Sequence, residues 1–173
     1  TIRMVSAEVF EEDPLRLLRA FSLRAALGFK IESKTLVQIK KDRGLLKDVS
    51  LERVRDEFFK ILASNRAFEN LKAMDQIRLL EEVIPQIRVM VDVKQGVYHH
   101  LDVWGHSLQT VHQLEKILQE IQNNENCGQG NAKVHGQVEL NSYLNERLSG
   151  TRLRRDLLKL AALLHDIGKP DTQ

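Results

Sequence analysis

Residues 13–29 read DPLRLLRAFSLRAALGF and contain signals for both ends and the buried face of one helix. Asp13 is placed to cap a helix, and Pro14 suits the first helical position, where its missing N–H costs little. Gly28 suits the left-handed conformation that commonly ends a helix. Apolar residues recur between them at helical spacing, namely Leu15, Leu18, Phe21, Ala25 and Leu27. The stretch therefore predicts an amphipathic helix.

Similar amphipathic segments follow along the rest of the chain. Leu, Ala, Glu, Lys and Arg dominate the composition, which favours helix, and the sequence shows neither an internal repeat nor a strong alternating strand pattern. Helices are predicted at about residues 33–41, 50–62, 66–74, 76–84, 103–122, 139–148 and 152–167. The inward face of the last one is predicted to hold Leu157, Leu160, Ala161 and Leu164. The predicted fold class is all-α.

Composition limits the classes of function. The 173 residues are 42% hydrophobic and 29% charged, as in ordinary soluble globular proteins. No segment approaches the roughly 18 uninterrupted apolar residues of a membrane span, so no membrane partner is expected. A single cysteine, Cys127, cannot form an internal disulfide, which favours the cytoplasm. Residues 1–66 carry 14 Lys and Arg against 10 Asp and Glu, a net +4 that weakly indicates a polyanionic partner.

A connection between residues 85 and 102 is the predicted boundary between two helical units. The first unit is residues 1–90, and the second is residues 91–173. A polar stretch at about 123–136, rich in Asn, Gly and Gln, is predicted to be a loop or insertion within the second unit. The chain is therefore expected to hold two helical units rather than one.

Polar residues on the first helix form a candidate binding site. Asp13, Arg16 and Arg19 recur every three residues and so lie close to one helix face. A carboxylate beside a guanidinium offers an acceptor and a planar fork of donors, which suits the edge of a nucleotide base. The simpler interpretation is a solvated charged edge with a weak ion pair. The residues alone leave both open.

A second candidate site lies near the end of the chain, in LLHDIGKP at residues 163–170. The adjacent side chains of His165 and Asp166 close an apolar helix and can both reach one divalent metal ion. His106 opens an earlier amphipathic helix in HHLDVWGHSLQTV. The alternative interpretation is that the His–Asp pair is only a helix-end hydrogen bond.

The N-terminal third of the chain resembles the neck region of bacterial-type (class II) tRNA nucleotidyltransferases and poly(A) polymerases. The resemblance rests on IRMVSAEVFEEDPLRLLRA, LGFKIE and LLKDVSLERVRDEFFKIL, within residues 2–63. It implies that Asp13 and Arg16 hydrogen-bond the base edge of incoming CTP or ATP, with Arg19 as a nearby base or phosphate contact. Many CCA-adding members carry a further arginine where this chain has Ser22, so the resemblance leaves CCA-adding, partial-adding and poly(A)-adding activity open.

Polymerising chemistry in that family needs a head domain with a glycine-rich phosphate loop and two metal-binding carboxylates. The sequence contains no such loop followed by an Asp-x-Asp pair. The resemblance therefore implies that catalytic residues and their Mg²⁺ belong to a head outside this chain. The chain alone is expected not to polymerise nucleotides, because two-metal phosphoryl transfer needs those ligands.

The C-terminal part is similar to the HD phosphohydrolase superfamily, which follows the neck in several tRNA nucleotidyltransferases. This resemblance implies a divalent metal such as Mg²⁺, Mn²⁺ or Ni²⁺ bound by His106, His165 and Asp166. The superfamily's fourth ligand, a more distant Asp, has no match before the chain stops, so tight binding by this chain alone is not expected. Other candidates are weaker: His99 and His100 as second choices, Lys169 as a phosphate contact, and His112 and His135 with no assigned role.

The leading hypothesis is a neck and partial HD unit from an enzyme that adds nucleotides to tRNA or other RNA 3′ ends, using ATP and with CTP left open. A second hypothesis is a metal-dependent phosphohydrolase that acts on nucleotides or cyclic phosphates through His106, His165 and Asp166. A third is an RNA-binding module whose basic N-terminal half holds the tRNA backbone.

Overall fold

The computed structural model describes residues 1–93, 101–126 and 135–172, and helices dominate these parts of the chain. The α-helices are Val9–Glu12 (α1), Arg16–Leu27 (α2), Ser33–Asp42 (α3), Leu51–Ala63 (α4), Ala67–Gln76 (α5), Leu80–Val83 (α6), Val103–Asn126 (α7), His135–Leu144 (α8) and Arg154–Leu164 (α9). Short 3₁₀ helices span Arg43–Asp48, Pro85–Met90 and Lys169–Thr172. The all-α prediction is confirmed. No helix in the described parts is long and apolar enough to span a membrane.

Helix α2 ends as the sequence predicts but begins differently. Gly28 has a φ of +68°, and its N–H donates to the carbonyl of Arg24, which closes the last turn. The prediction that Asp13 caps the helix is wrong, because α2 begins at Arg16 and the Asp13 side chain makes no cap hydrogen bond. The predicted apolar positions are buried apart from Leu27, which is 55% exposed.

The core forms where α2 and α4 pack along each other. Val54, Phe58, Ile61 and Leu62 of α4 are buried against the apolar face of α2. The same core continues into α7, where Trp104 and Val111 are buried. Residues on both sides of residue 90 thus share one apolar core, and the predicted division into two units stays a prediction.

Helix α9 buries a different face from the predicted one. Its buried residues are Asp156, Lys159 and Leu163, whereas Leu157 is 48% exposed and Ala161 is also exposed. The prediction that all four apolar positions point inward is therefore wrong for two of them. Leu160 and Leu164 are partly buried against the core. A lysine can occupy the inward face here because its ammonium group finds buried acceptors.

A small hairpin replaces the predicted ends of two helices. Arg147–Ser149 (β1) pairs antiparallel with Arg152–Leu153 (β2). Gly150 lies in the turn with a φ of +58°, a conformation that glycine adopts without strain. The carboxylate of Asp156 then accepts the N–H of Leu153 at 2.9 Å, which holds the start of α9. The hairpin therefore stops α8 before residue 148 and delays α9 to residue 154.

Candidate nucleotide-facing and metal sites

The Asp13 carboxylate lies at the centre of a cluster of guanidinium groups. Its Oδ2 is 3.6 Å from Arg19 Nη1 and 3.9 Å from Arg16 Nε, so the structure brings the three predicted residues together. A fourth residue, Arg53 of α4, places its Nη2 3.3 Å from Asp13 Oδ1. We call these four residues the Asp13 cluster. It offers one acceptor among several fixed donors, which suits recognition of a polar planar group.

Sequence reasoning missed Arg53. It lies 40 residues beyond Asp13, and it is one of several exposed charges on α4, so no local pattern distinguishes it. The contact arises because the first turn of α4 packs beside the start of α2. Arg53 thus enters the cluster through tertiary packing alone.

Arg16 is held in place by the short helix α1. Its Nη1 donates to the carbonyl of Val9 at 3.1 Å and to Glu12 Oε2 at 3.0 Å. Two anchors on one guanidinium fix its plane, and the remaining N–H groups stay available to another acceptor. The Glu12 side chain that precedes Asp13 lines the adjoining groove and holds Arg16 in place.

An open groove of about 430 Å³ adjoins the Asp13 cluster. Its walls combine the arginines of α2 with apolar side chains from the N-terminal segment and α2, including Ile2, Met4, Val5, Ala20 and Leu23. An apolar wall beside fixed donors can accommodate a flat aromatic ring and bond its polar edge. The groove therefore has the composition expected of a base-binding surface.

The second predicted site brings together residues from two distant helices. His106 lies in the first turn of α7, and His165 with Asp166 follows the end of α9. One ligand atom from each of the three lies within 4.8 Å of the other two. Asp166 Oδ2 is 3.1 Å from His165 Nε2 and 3.8 Å from His106 Nε2. We call this group the His–Asp cluster.

The orientation of His165 leaves one ring nitrogen facing the cluster. Its Nδ1 lies 2.9 Å from the carbonyl oxygen of Ala162, and since a carbonyl only accepts, Nδ1 carries the proton. In a neutral ring, Nε2 then keeps a lone pair that can bind a metal ion shared with Asp166. Ring N–H bonds of this kind fix metal-binding histidines in many proteins. Two imidazole nitrogens and one carboxylate oxygen fit a divalent transition metal.

Lys169 also contacts the His–Asp cluster. Its Nζ lies 2.6 Å from Asp166 Oδ2, the same oxygen that faces both histidines. A metal that took this oxygen as a ligand would have to displace the ammonium group, because both cations would compete for it. In the described structure Lys169 is thus a counter-ion of Asp166.

Among the other histidines, His112 has a described side chain, and it does not join the cluster. The ring of His112 stacks on Phe68 with 4.2 Å between centroids, as expected of a packing residue. His99 and His100 lie outside the described residues. His135 is the first residue of α8, and its side chain also lies outside them.

A buried ion pair joins α7 and α9 to the C-terminal end of α4 and the start of α5. Glu115 of α7 accepts the N–H groups of Ala67 and Phe68 at the start of α5, at 2.7 and 3.2 Å. Lys159 of α9, 3% exposed, lies 3.3 Å from Glu115. Burial lowers the pKa of Lys159 more than the neighbouring carboxylate raises it. We call this pair the Glu115–Lys159 junction.

Lys159 also satisfies backbone acceptors at the end of α4. Its Nζ donates to the carbonyls of Leu62 and Ser64 at 2.9 and 2.7 Å. These carbonyls have no partner within the helix, because the last turn of a helix leaves its acceptors open. One lysine and one glutamate thus cap two successive helices from outside.

Two family matches cover most of the chain. Residues 28–90 match the family described as the probable RNA and SrmB-binding site of polymerase A, and residues 103–173 match the HD domain. An A-adding tRNA nucleotidyltransferase from Deinococcus radiodurans is 31% identical over 99% of this chain. A CC-adding tRNA nucleotidyltransferase from Thermus thermophilus is 29% identical over 98% of it.

The chain belongs to the tRNA nucleotidyltransferase and poly(A) polymerase family. Its two matched regions occur in the order that the sequence resemblance implies. A CCA-adding enzyme from Bacillus subtilis is also similar, with 40% identity over 43% of this chain and 19% of its own length. The chain spans about a third of the length of the two bacterial relatives that it matches throughout, 33% and 32%.

Solved structures show the same fold. A tRNA-processing enzyme in an apo form superposes on 97% of this chain and 39% of its own length, with a TM-score of 0.60 and 23% identity. A second structure, a complex of a tRNA-processing enzyme, covers 99% of this chain with a TM-score of 0.59. The helical arrangement is therefore that of known tRNA-processing enzymes.

Proposed function

We propose that this chain is the neck and HD part of an enzyme that adds nucleotides to the 3′ ends of tRNA. The observation that carries the proposal is the convergence of Arg16, Arg19 and Arg53 on Asp13 beside an open groove. The chain's relatives are named as A-adding and CC-adding tRNA nucleotidyltransferases and as a CCA-adding enzyme, which supports the same reaction. The polymerising metal ions, Mg²⁺, would be bound by a head domain.

Asp13 and Arg16 would read the base of the incoming nucleotide. Adenine and cytosine each present an amino donor next to a ring-nitrogen acceptor. A carboxylate can accept from that amino group while a guanidinium donates to the ring nitrogen, so the pair matches both bases. Uracil presents a carbonyl where cytosine has the amino group, and the Asp13 carboxylate would repel it. ATP and CTP are therefore the proposed nucleotide partners.

The His–Asp cluster is proposed to bind a divalent metal through His106, His165 and Asp166. Imidazole ligands favour Mn²⁺, Ni²⁺ or iron over Mg²⁺, which prefers oxygen. The metal would supply Lewis-acid activation at a phosphoester, while the protein contributes the oriented histidines and the ammonium group of Lys169. A phosphohydrolase as the main function is not favoured, since the relatives are nucleotidyltransferases.

The test is incorporation of labelled ATP and CTP into a tRNA that lacks its 3′ terminal residues, by the full-length enzyme with Mg²⁺. Incorporation that ends after one, two or three residues would support the proposal and identify the member of the family. Hydrolysis of 2′,3′-cyclic nucleotides with Mn²⁺ or Ni²⁺, without any incorporation, would contradict it and favour the phosphohydrolase.

A further inference from the structure

A polar pocket lies at the opposite end of α2 from the Asp13 cluster. It has a volume of about 460 Å³ and forms where the ends of α2 and α4 meet α9. Residues 25–28 and 63–66 line it together with Arg155, and none of its lining residues is acidic. The charged side chains in it are those of Arg66 and Arg155. We call it the arginine pocket.

Arg66 lies against the backbone of Gly28. A Cβ on that glycine would approach Arg66 Nη1 to 2.7 Å, closer than such atoms pack. The glycine therefore serves two purposes, because its φ of +68° also ends α2. The absence of a side chain at this position is what lets the guanidinium group lie over the helix end.

Arg66 is not needed to cap the helices beside it. The carbonyl of Ile61 accepts from the N–H and the hydroxyl of Ser64, at 3.2 and 2.8 Å. The carbonyls of Leu62 and Ser64 accept from Lys159. Within the described parts of the chain, the Arg66 guanidinium forms no ion pair or hydrogen bond. Its donors remain available to a ligand.

Arg155 adds a second guanidinium from α9. Its ion-pair contact is a long one, 3.9 Å from its Nε to Asp156 Oδ1. Asp156 is itself held by the N–H of Leu153. Two arginines without a strong carboxylate partner, in a pocket without acidic residues, give a local excess of positive charge. An anion would relieve that excess.

Two cations on α4 lie between the arginine pocket and the Asp13 cluster. Arg53 and Lys60 are seven residues apart and so share one face of α4, and Ser64 follows the last residue of that helix. Lys60 is exposed and donates to the buried carboxylate of Glu57 at 2.9 Å. The distance along the helix axis from Arg53 to Ser64 is about 17 Å at 1.5 Å per residue. This length suits successive phosphates of a nucleic-acid strand.

We propose that Arg66 and Arg155 form a phosphate subsite for the RNA strand whose 3′ end lies at the Asp13 cluster. The inference rests on the proposed function, which supplies the RNA partner. It adds that α9 of the HD region, through Arg155, shares in holding the RNA. The ligand chemistry is a phosphodiester, and a free nucleotide phosphate is the alternative source that the experiment separates.

The experiment measures binding of a fluorescently labelled tRNA transcript to the full-length protein at several salt concentrations. Each lost phosphate contact makes the negative slope of log K against log salt less steep by about 0.7–0.9. Binding near 0.1 M salt is then about five- to eightfold weaker. Arg66→Gln and Arg155→Gln are each expected to show this change. The control is Lys47→Gln, which removes one positive charge from an exposed lysine away from the pocket.

Gly28→Asn tests the position of the guanidinium without changing the net charge. Asparagine tolerates a positive φ, and its Cβ would displace the flexible end of Arg66. Gly28→Asn is expected to show the same loss of slope as Arg66→Gln. The thermal unfolding midpoints of Arg66→Gln and Arg155→Gln are expected to stay unchanged. If Arg66→Gln and Arg155→Gln show the same slope of log K against log salt as Lys47→Gln, the proposed phosphate subsite is overturned.

ATP binding, measured by equilibrium dialysis, separates the two sources of phosphate. It is expected to be unchanged in Arg66→Gln. Loss of ATP binding with an unchanged tRNA slope would assign the pocket to a free nucleotide and overturn the RNA subsite. If the unmodified full-length protein shows no salt-dependent binding of tRNA, the RNA partner in the proposed function fails, and the subsite fails with it.

Discussion

Asp13 and Asp166 are both surrounded by three basic side chains, yet the two clusters have opposite chemistry. The Asp13 side chain is 24% exposed, and its partners are the guanidinium groups of Arg16, Arg19 and Arg53. The Asp166 side chain is 11% exposed, and its partners are two imidazole rings and an ammonium group, from His106, His165 and Lys169. The count of partners is the same, so the difference comes from their type.

The two clusters differ in whether the partners can act as ligands to a cation. Guanidinium groups keep their protons at any ordinary pH and have no lone pair to offer, so the Asp13 cluster can only surround an acceptor with donors. A neutral imidazole has a free lone pair, and in His165 the contact of Nδ1 with the Ala162 carbonyl leaves the Nε2 lone pair available to a metal ion. The first cluster therefore suits a nucleotide edge, and the second suits a metal ion.

The largest expected effect is a loss of stability when the Glu115–Lys159 junction is broken. This junction links α4 and α5 to α7 and α9. Lys159→Met would leave Glu115 buried without its cation and two helix-end carbonyls without a donor. Breaking a buried pair in this way costs about 3–5 kcal/mol. Urea unfolding monitored by circular dichroism would measure the loss in the free energy of unfolding.

A double variant controls for the lost side chain itself. Glu115→Gln with Lys159→Met removes the unpaired charge while keeping an acceptor for the α5 N–H groups, so it should recover part of the loss. A Lys159→Met protein as stable as the unmodified chain would show that the junction does not hold the two clusters together.

Exchanging one carboxylate at a time tests the difference between the two aspartates most directly. In the full-length protein, Asp166→Asn is expected to weaken Mn²⁺ binding by about 100-fold or more, since even residues that only orient metal ligands are worth about 10–100-fold. Isothermal titration calorimetry gives the affinities. Asp13→Asn is the matched control and should leave Mn²⁺ binding unchanged. Equal losses in both variants would mean that the His–Asp cluster is not a distinct metal site.

Local signals in the sequence predicted the helices better than they predicted the clusters. The end of α2 was predictable because Gly28 acts on its own turn. The buried face of α9 was not, because Lys159 depends on Glu115 and on Ser64, which are 44 and 95 residues away. Apolar spacing on that helix predicts a leucine face in the core, whereas the buried lysine is stabilised by partners from other helices.

The site predictions depended on the family resemblance as much as on spacing. Spacing alone placed Asp13, Arg16 and Arg19 near one face, and the structure confirms that they meet. Arg53 joins them only through packing of α4. The approach of His106 to His165 was implied by the resemblance, since 59 residues separate them in the chain. Contacts across such distances depend on the tertiary fold.

A smaller effect is expected when the Asp13 cluster is changed. In the full-length enzyme, Asp13→Ala or Arg16→Ala should reduce discrimination between correct and incorrect nucleotides about 10- to 100-fold, because one well-placed pair of hydrogen bonds is worth about 1–3 kcal/mol. Misincorporation of UTP and GTP into tRNA measures this ratio. The stability of the variants should change by about 1 kcal/mol or less, since exposed ion pairs contribute little.

Arg3→Ala is the matched control for the arginine. Arg3 is exposed, lines the same groove and pairs with Glu32 rather than with Asp13. It should leave discrimination nearly unchanged. Discrimination that survives both Asp13→Ala and Arg16→Ala would defeat the assignment of base reading to this cluster.

The smallest effect concerns Asp75, a carboxylate that forms no ion pair with any cation in the described parts of the chain. Burial raises its pKa, against the bond from Trp104 Nε1 at 2.8 Å, and the acids Glu81 and Asp102 raise the pKa further. The folded state thus holds this proton more tightly than the unfolded chain, so the contribution of Asp75 to stability falls as pH rises above about 4.

Asp75→Asn keeps an acceptor for Trp104 and removes the charge. We expect it to raise the free energy of unfolding at pH 7 by about 0.5 kcal/mol or less, because the group is half exposed and solvent screens it. The gain should vanish near pH 4 in urea unfolding. A variant clearly less stable at pH 7 would show that the Trp104 bond needs the ionised carboxylate, and that even an aspartate without a cation stabilises this fold by its charge.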